Sequence, residues 1–169
     1  KFIRDKDDLK SLNKGEIGAI LALEGCDCIE QDLLRLRTLM RLGVSSVGLT
    51  WNHANALADG ALEERQGGLT RLGKEAVTLL NGAGCWCDVS HLSEAGFWDC
   101  LKLHNKVIAS HSNCHSIVPH PRNLTDEQIK ALIHHDGQIG ITFVPDFLTK
   151  GTSAVIADVI HHLDHICSL

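Results

Sequence analysis

Five apolar runs of strand length are separated by helix-patterned stretches, and this alternation narrows the fold more than any other feature of the chain. The runs are IGAILALEG (17–25), VSSVGLTW (44–51), CWCDVSH (85–91), KVIASHS (106–112) and QIGITFVPDF (138–147). Between them, residues 29–43, 69–84, 92–104 and 124–137 space their apolar positions as one face of a helix does, and 152–166 gives a closing helix. Thr70, Ser93 and Thr125 stand where helix N-caps belong. Asp126 and Glu127 fall in the first turn after Thr125, where the helix dipole favours negative charge. Residues 52–68, rich in Asn, Gly and charge, read as a long loop.

Strict strand–helix alternation means parallel pairing through right-handed crossovers. Two architectures satisfy it: an open doubly wound sheet, or part of an eight-fold barrel. A nucleotide-binding open sheet carries a Gly-rich turn after an early strand, and neither that pattern nor a P-loop is present. Instead, Glu24, Trp51, His91 and His111 end or follow apolar runs. Polar residues at the C-terminal ends of several strands are how barrel enzymes assemble a site. The expected fold is therefore α/β, a TIM-type (β/α)8 barrel of which residues 1–169 supply about five strand–helix units as a single domain.

At 169 residues and 44% hydrophobic, the chain can bury one core. A formal charge of −5, with no Lys/Arg-rich run, argues against nucleic acid as the main partner. No apolar stretch approaches the roughly 18 residues of a membrane span, and the polar start KFIRDKDDLKSLNKG does not read as a secretory signal. The 7 cysteines are odd in number and lack a Cys-x-x-Cys pair, so reduced thiols in a cytoplasmic protein are expected.

The 11 histidines are the unusual part of the composition. In a barrel, Glu24, His91 and His111 all point into one mouth. A carboxylate and two imidazoles suit zinc or a similar divalent ion, and a carboxylate can bridge two metals. Taken singly, each has an ordinary alternative: a solvated loop glutamate, a helix-entry histidine, a satisfied polar group at a strand end. Their shared placement at three strand ends favours a site. The pairs His134/His135 and His161/His162, late in helices, read as solvated surface. His161 and His165 share a helical face but lack the adjacent glutamate of zinc-binding helices.

The segments LALEG, GLTWNHANALADG, GLTRLGKEAVTLLNGAG, DVSHLSEAGFWD, IASHSNCHSIVPHPRNLTDEQIKAL and GQIGITFVPDFL occur in the order found in the membrane dipeptidase (renal dipeptidase) family of zinc metallopeptidases, which the chain resembles from about residue 16 to 166. The resemblance implies a barrel with two zinc ions that cleaves dipeptides through a metal-bridging hydroxide. It implies that Glu24 bridges the metals, that His91 and His111 complete the shell of the second, and that Arg122 binds the substrate's terminal carboxylate. A guanidinium suits that last task because it offers two parallel donors. His115 and His120 receive no role.

Two departures from the family pattern stand out. Many members place a substrate-contacting histidine where this chain has Trp51; His53, two residues on, is the candidate replacement, Asn52 and Asn55 match asparagines common in that loop, and Arg122, His53 and Asn55 make up the expected substrate-binding set. The family's His-x-Asp pair on its first strand and an aspartate on a late strand have no counterpart here. The chain is thus expected to supply the third to seventh barrel strands, with the remainder on a longer polypeptide or a separate chain. Expected partners are a dipeptide substrate and either missing barrel segments or further copies. Three other readings stay open: a related metal-dependent amidohydrolase, a catalytically silent binding subunit, and an open α/β domain that binds a small anion.

Overall fold

The structure is a computed structural model and describes residues 1–151 and 153–169. Five strands form one parallel sheet: β1 (Leu21–Glu24), β2 (Val44–Gly48), β3 (Trp86–Asp88), β4 (Val107–Ala109) and β5 (Gln138–Ile139). Their spatial order is the order of the sequence, β1-β2-β3-β4-β5. A doubly wound sheet must reverse direction at a switch point, whereas strands winding one way around a barrel stay in sequence. The open-sheet alternative is thereby set aside. Among the described residues, β1 and β5 each pair with a strand on one side only. Exposed apolar side chains gather at these flanks, Ile20 beside β1 and Phe143 beyond β5.

The register aligns the strand ends that matter. Glu24 pairs with Gly48, Gly48 with Asp88, and Asp88 with Ile108, so the C-terminal ends of β1 to β4 form one rim. The helices are α1 (Lys6–Lys10), α2 (Leu33–Arg41), α3 (Arg71–Ala83), α4 (Glu94–Leu103), α5 (Asp126–His134), α6 (Pro145–Leu148) and α7 (Ile156–Ser168). The three expected caps form: Thr70 Oγ1 accepts from Gly73 N at 3.0 Å, Ser93 Oγ from Gly96 N at 3.1 Å, and Thr125 Oγ1 from Gln128 N at 3.2 Å. Gln128 returns the favour to Thr125 N at 2.9 Å, closing a capping box. Two caps also tie down the 52–68 loop, since Thr70 donates to Ala56 O (2.8 Å) and Ser93 to Gly67 O (2.6 Å).

The apolar faces of α2, α3, α4 and α5 bury Leu36, Val77, Leu80, Phe97, Ile129 and Leu132 against Val47, Cys87, Val107 and Ala109 of the strands. Burying side chains of this size is worth roughly 1.5–3 kcal/mol each. Five cysteines (26, 85, 87, 100 and 114) are buried as small hydrophobes and all seven are free.

Three expectations need correction. The fifth run shortens to Gln138–Ile139, the two residues that pair with β4, and its end is taken by α6, where Pro145 at N1 suits a helix start rather than a strand interior. The closing helix starts at Ile156 rather than 152, and Thr152 lies outside the described residues. His162 is fully buried rather than solvated: its Nδ1 accepts from Cys114 N (3.0 Å) and its Nε2 donates to Leu148 O (3.1 Å).

His162 and the equally buried His104, whose Nδ1 accepts from Lys106 N at 2.9 Å, carry a testable pH signature. Burial lowers the pKa of both below the ordinary histidine value. The unfolded chain takes up a proton near pH ~6.5 and the folded chain does not, so their stabilisation is complete above that pH and is lost as pH falls through the lowered folded values. Calorimetric melting temperatures are expected to decline from pH 7 to pH 5, with a shallower decline in His162→Gln. A flat profile would contradict the neutral buried histidines.

Candidate metal centre

Glu24 is the last residue of β1, and the chain turns away at Gly25, whose φ of +90° lies in the left-handed region that glycine tolerates. His91 sits three residues beyond β3, at the entry to α4. His111 sits two residues beyond β4, where Ser112 N donates to Gly140 O at 2.8 Å and holds the strand end. Gly140 is needed there, because a Cβ would lie 2.1 Å from Ser110 O.

These three side chains, 67 and 20 residues apart, converge. Glu24 Oε1 lies 2.9 Å from His91 Nε2 and 3.4 Å from His111 Nε2, and the two Nε2 atoms are 2.8 Å apart. Their candidate ligand atoms all fall within 4.8 Å of one another. His91 is buried, His111 half-buried, and the Glu24 carboxylate open to solvent. Burial, then the Arg122 and His111 charges beside it, push the His91 pKa down to about 4, against the opposing pull of Glu24. His91 is therefore neutral at pH 7, the form that ligates metal.

The arrangement fits a divalent cation. With both Nδ1 atoms protonated, two Nε2 lone pairs and a carboxylate oxygen face one point, a repulsive set unless a cation lies among them. Two imidazole nitrogens and a carboxylate oxygen are ligands of zinc and its borderline neighbours. His91 Nδ1 lies 2.8 Å from Asn52 Oδ1, an acceptor suited to keeping the proton on that nitrogen. Arg122 Nε lies 3.1 Å from the same Nδ1. One nitrogen cannot serve an acceptor and a donor together, so a metal on Nε2 commits Nδ1–H to Asn52 and frees the Arg122 Nε–H.

Arg122 is 3% exposed, lies over the Phe147 ring at 5.6 Å from its centroid, and donates from Nη1 to Ser90 O. Burial pulls its pKa down to about 10, which leaves it a cation at neutral pH. His120 holds the Arg122 backbone, its Nδ1 accepting from Arg122 N at 3.1 Å, and stacks against Phe147 at 4.4 Å between centroids. Arg122 also lines a cavity of about 420 Å³ shared with Ser90, Leu92, Glu94 and His115.

Trp51 stands over His91, ring centroids 5.9 Å apart, with over half its surface exposed at the rim. Its loop is pinned close: a Cβ at Gly60 would sit 2.4 Å from Trp51 O. Asn55, in the expected substrate-contacting set, spends its amide on this loop, donating to Leu49 O (2.7 Å) and accepting from Leu57 N (2.8 Å) and Ala58 N (3.3 Å). His53 is exposed, and among the described residues no hydrogen bond joins it to the cluster. Sequence reasoning noted Asn52 only as a loop residue and passed over Asp88, Ser90 and Ser110; all four surround the ligands. The repeated Ser-His at 90–91 and 110–111 is the signal that would have found two of them.

A one-way parallel sheet of five strands with a carboxylate and two imidazoles at its C-terminal rim defines part of a TIM-type (β/α) barrel carrying a candidate metal centre. The chain belongs to the membrane dipeptidase family (peptidase family M19), which matches residues 1–169. It is similar to a metallopeptidase from Rhodobacter sphaeroides solved with a phosphinate mimic of the dipeptide L-Ala-D-Ala, at 30% identity and a TM-score of 0.91, covering 99% of this chain and 51% of that one. An uncharacterized dipeptidase of Schizosaccharomyces pombe is 33% identical over 98% of this chain and 42% of its own length. An uncharacterized protein in the pqqA 5' region of Klebsiella pneumoniae is 29% identical over 96% and 64%, respectively. The chain thus spans between about two-fifths and two-thirds of the length of these relatives.

Proposed function

We propose that this chain carries half of the active site of a zinc-dependent dipeptidase. The observation that carries the proposal is the convergence of Glu24 Oε1, His91 Nε2 and His111 Nε2 beside the buried Arg122 cation. Glu24, His91 and His111 would hold one zinc ion, and the second Glu24 oxygen is free to bridge to another. Bound zinc supplies Lewis acidity toward a carbonyl and activates water near neutral pH.

The remaining roles belong to the protein. Arg122, released from His91 Nδ1, offers its Nε–H and an Nη–H as parallel donors to the free carboxylate of a dipeptide. Fixing that carboxylate beside His91 would orient a dipeptide toward the cluster and exclude longer substrates, a gain from positioning rather than from new chemistry. Asn52 keeps the proton on His91 Nδ1. Trp51 replaces a polar side chain at the rim with a flat apolar wall, and this favours the related-amidohydrolase reading wherever the substrate side chain is large and apolar.

Residues 1–169 would act as one domain, with further strands of the same barrel type covering the open sides of β1 and β5. The odd, scattered thiols favour a reducing compartment.

The test is a substrate panel on the intact zinc-loaded protein. Dipeptides with a free C-terminal carboxylate should turn over within the ordinary range of roughly 1–10³ per second, fail under chelation and recover with zinc. Dipeptide amides should be poor substrates. Zinc binding with hydrolysis of other amides only would favour the amidohydrolase reading, and zinc binding with no hydrolysis the silent-subunit one.

A further inference from the structure

We propose that Asp88, acting through the Ser110 hydroxyl, is the positioning residue that sets the tautomer of His111 and so turns its Nε2 lone pair toward the metal centre. This rests on the metal-centre reading, not on the choice of substrate.

Asp88 ends β3, one strand away from His111, and its carboxylate collects four donors. Ser90 N (3.1 Å) and Ser90 Oγ (2.7 Å) donate to Oδ1, as does Ser110 N (3.1 Å); Ser110 Oγ donates to Oδ2. A carboxylate has no proton of its own to offer at neutral pH, so every contact with it must be a donation. Both serine hydroxyl protons are therefore spent on Asp88.

The consequence passes outward. With its proton committed, each hydroxyl oxygen can only accept from its remaining neighbours. Ser90 Oγ accepts from His111 N at 3.0 Å. Ser110 Oγ lies 2.7 Å from His111 Nδ1 and must accept there too, which requires the proton to sit on Nδ1. Nε2 is then the unprotonated nitrogen, and it is the one that faces His91 Nε2 and Glu24. The 3.3 Å approach of the two serine oxygens needs no proton between them.

The two ligand histidines are thus held by different means. His91 leans on the neutral amide of Asn52, whereas His111 reaches a full carboxylate through one hydroxyl. Carboxylate–histidine pairing of this kind fixes ring orientation and raises ligand basicity. Because Asp88 also accepts from both backbones, the same group locks the β3 and β4 ends together.

Asp88→Asn tests the idea with little change of shape. Its amide NH₂ can donate to Ser110 Oγ, which frees the serine proton to point at His111 Nδ1 and drives the ring to the other tautomer. In the metal-free protein, nitrogen-15 correlation spectra of the histidine rings should show His111 protonated on Nδ1 in the wild type, whether or not Nε2 also carries a proton shared with His91 or Glu24, and that Nδ1 proton should be lost in Asp88→Asn. Zinc affinity, measured by chelator competition, should fall about 10–100-fold in Asp88→Asn and in Ser110→Ala, and Ser110→Thr should restore it. If Asp88→Asn does not fold, Ser110→Ala decides, because Ser110 is an exposed position. Wild-type zinc affinity in Ser110→Ala, or a wild-type His111 whose Nδ1 carries no proton, would overturn the proposal. Neither readout involves turnover, so zinc binding that follows this pattern in a protein inactive on dipeptides would leave the proposal standing while the dipeptidase reading fell.

Discussion

His111→Ala is expected to strip the intact protein of one equivalent of zinc and to lower its affinity at that site by more than 100-fold. The reason lies in the count of ligands. The centre offers two imidazole nitrogens and one carboxylate oxygen, and the exposed Glu24 carboxylate is the only anion among them. Removing one of three leaves a two-ligand site open to water, a loss larger than the roughly 10–100-fold that follows removal of an outer partner. Hydrolysis should fall with metal content, since the activated water depends on the ion. The fold should survive, because His111 is half-buried at a strand end and does not contribute to the apolar core. Elemental analysis that finds the full metal complement in His111→Ala would remove this residue from the centre.

Arg122→Ala should act on substrate rather than on metal. Two parallel charge-assisted hydrogen bonds to a carboxylate are worth about 3 kcal/mol together, or about two orders of magnitude in KM for dipeptides. Zinc content should stay at the wild-type level, and the already poor turnover of dipeptide amides should change little. The variant should also melt at a lower temperature, because Ser90 O loses its donor and the 3% exposed side chain leaves a void over Phe147. Arg122→Lys keeps the charge and loses the fork, so an intermediate KM is expected. An unchanged KM in Arg122→Ala would rule out the carboxylate clamp.

How much of this was legible beforehand follows from how local each signal is. Caps are written within four residues, and Thr70, Ser93 and Thr125 all cap the helices they precede. The convergence of Glu24, His91 and His111 was readable because each closely follows an apolar run, and parallel strands bring such positions to one rim. What escaped depends on partners distant in sequence. Nothing near His162 announces that Cys114 N, 48 residues away, will occupy its Nδ1. Nothing near Asn55 announces that Leu49, Leu57 and Ala58 will engage its amide. The fifth run keeps as strand only the two residues that pair with β4, a length set by a neighbour about 30 residues away, while Pro145 opens a helix at its far end. Asp88 was passed over because a carboxylate inside a strand motif shows its importance only when both neighbouring serines turn toward it.

Anomalous diffraction at the zinc absorption edge, from crystals of the intact protein grown with zinc, tests the central claim most directly. The expected result is a peak about 2.0–2.2 Å from Glu24 Oε1, His91 Nε2 and His111 Nε2 together. A zinc-saturated protein whose peaks lie elsewhere, with those three side chains bound to no ion, would contradict it.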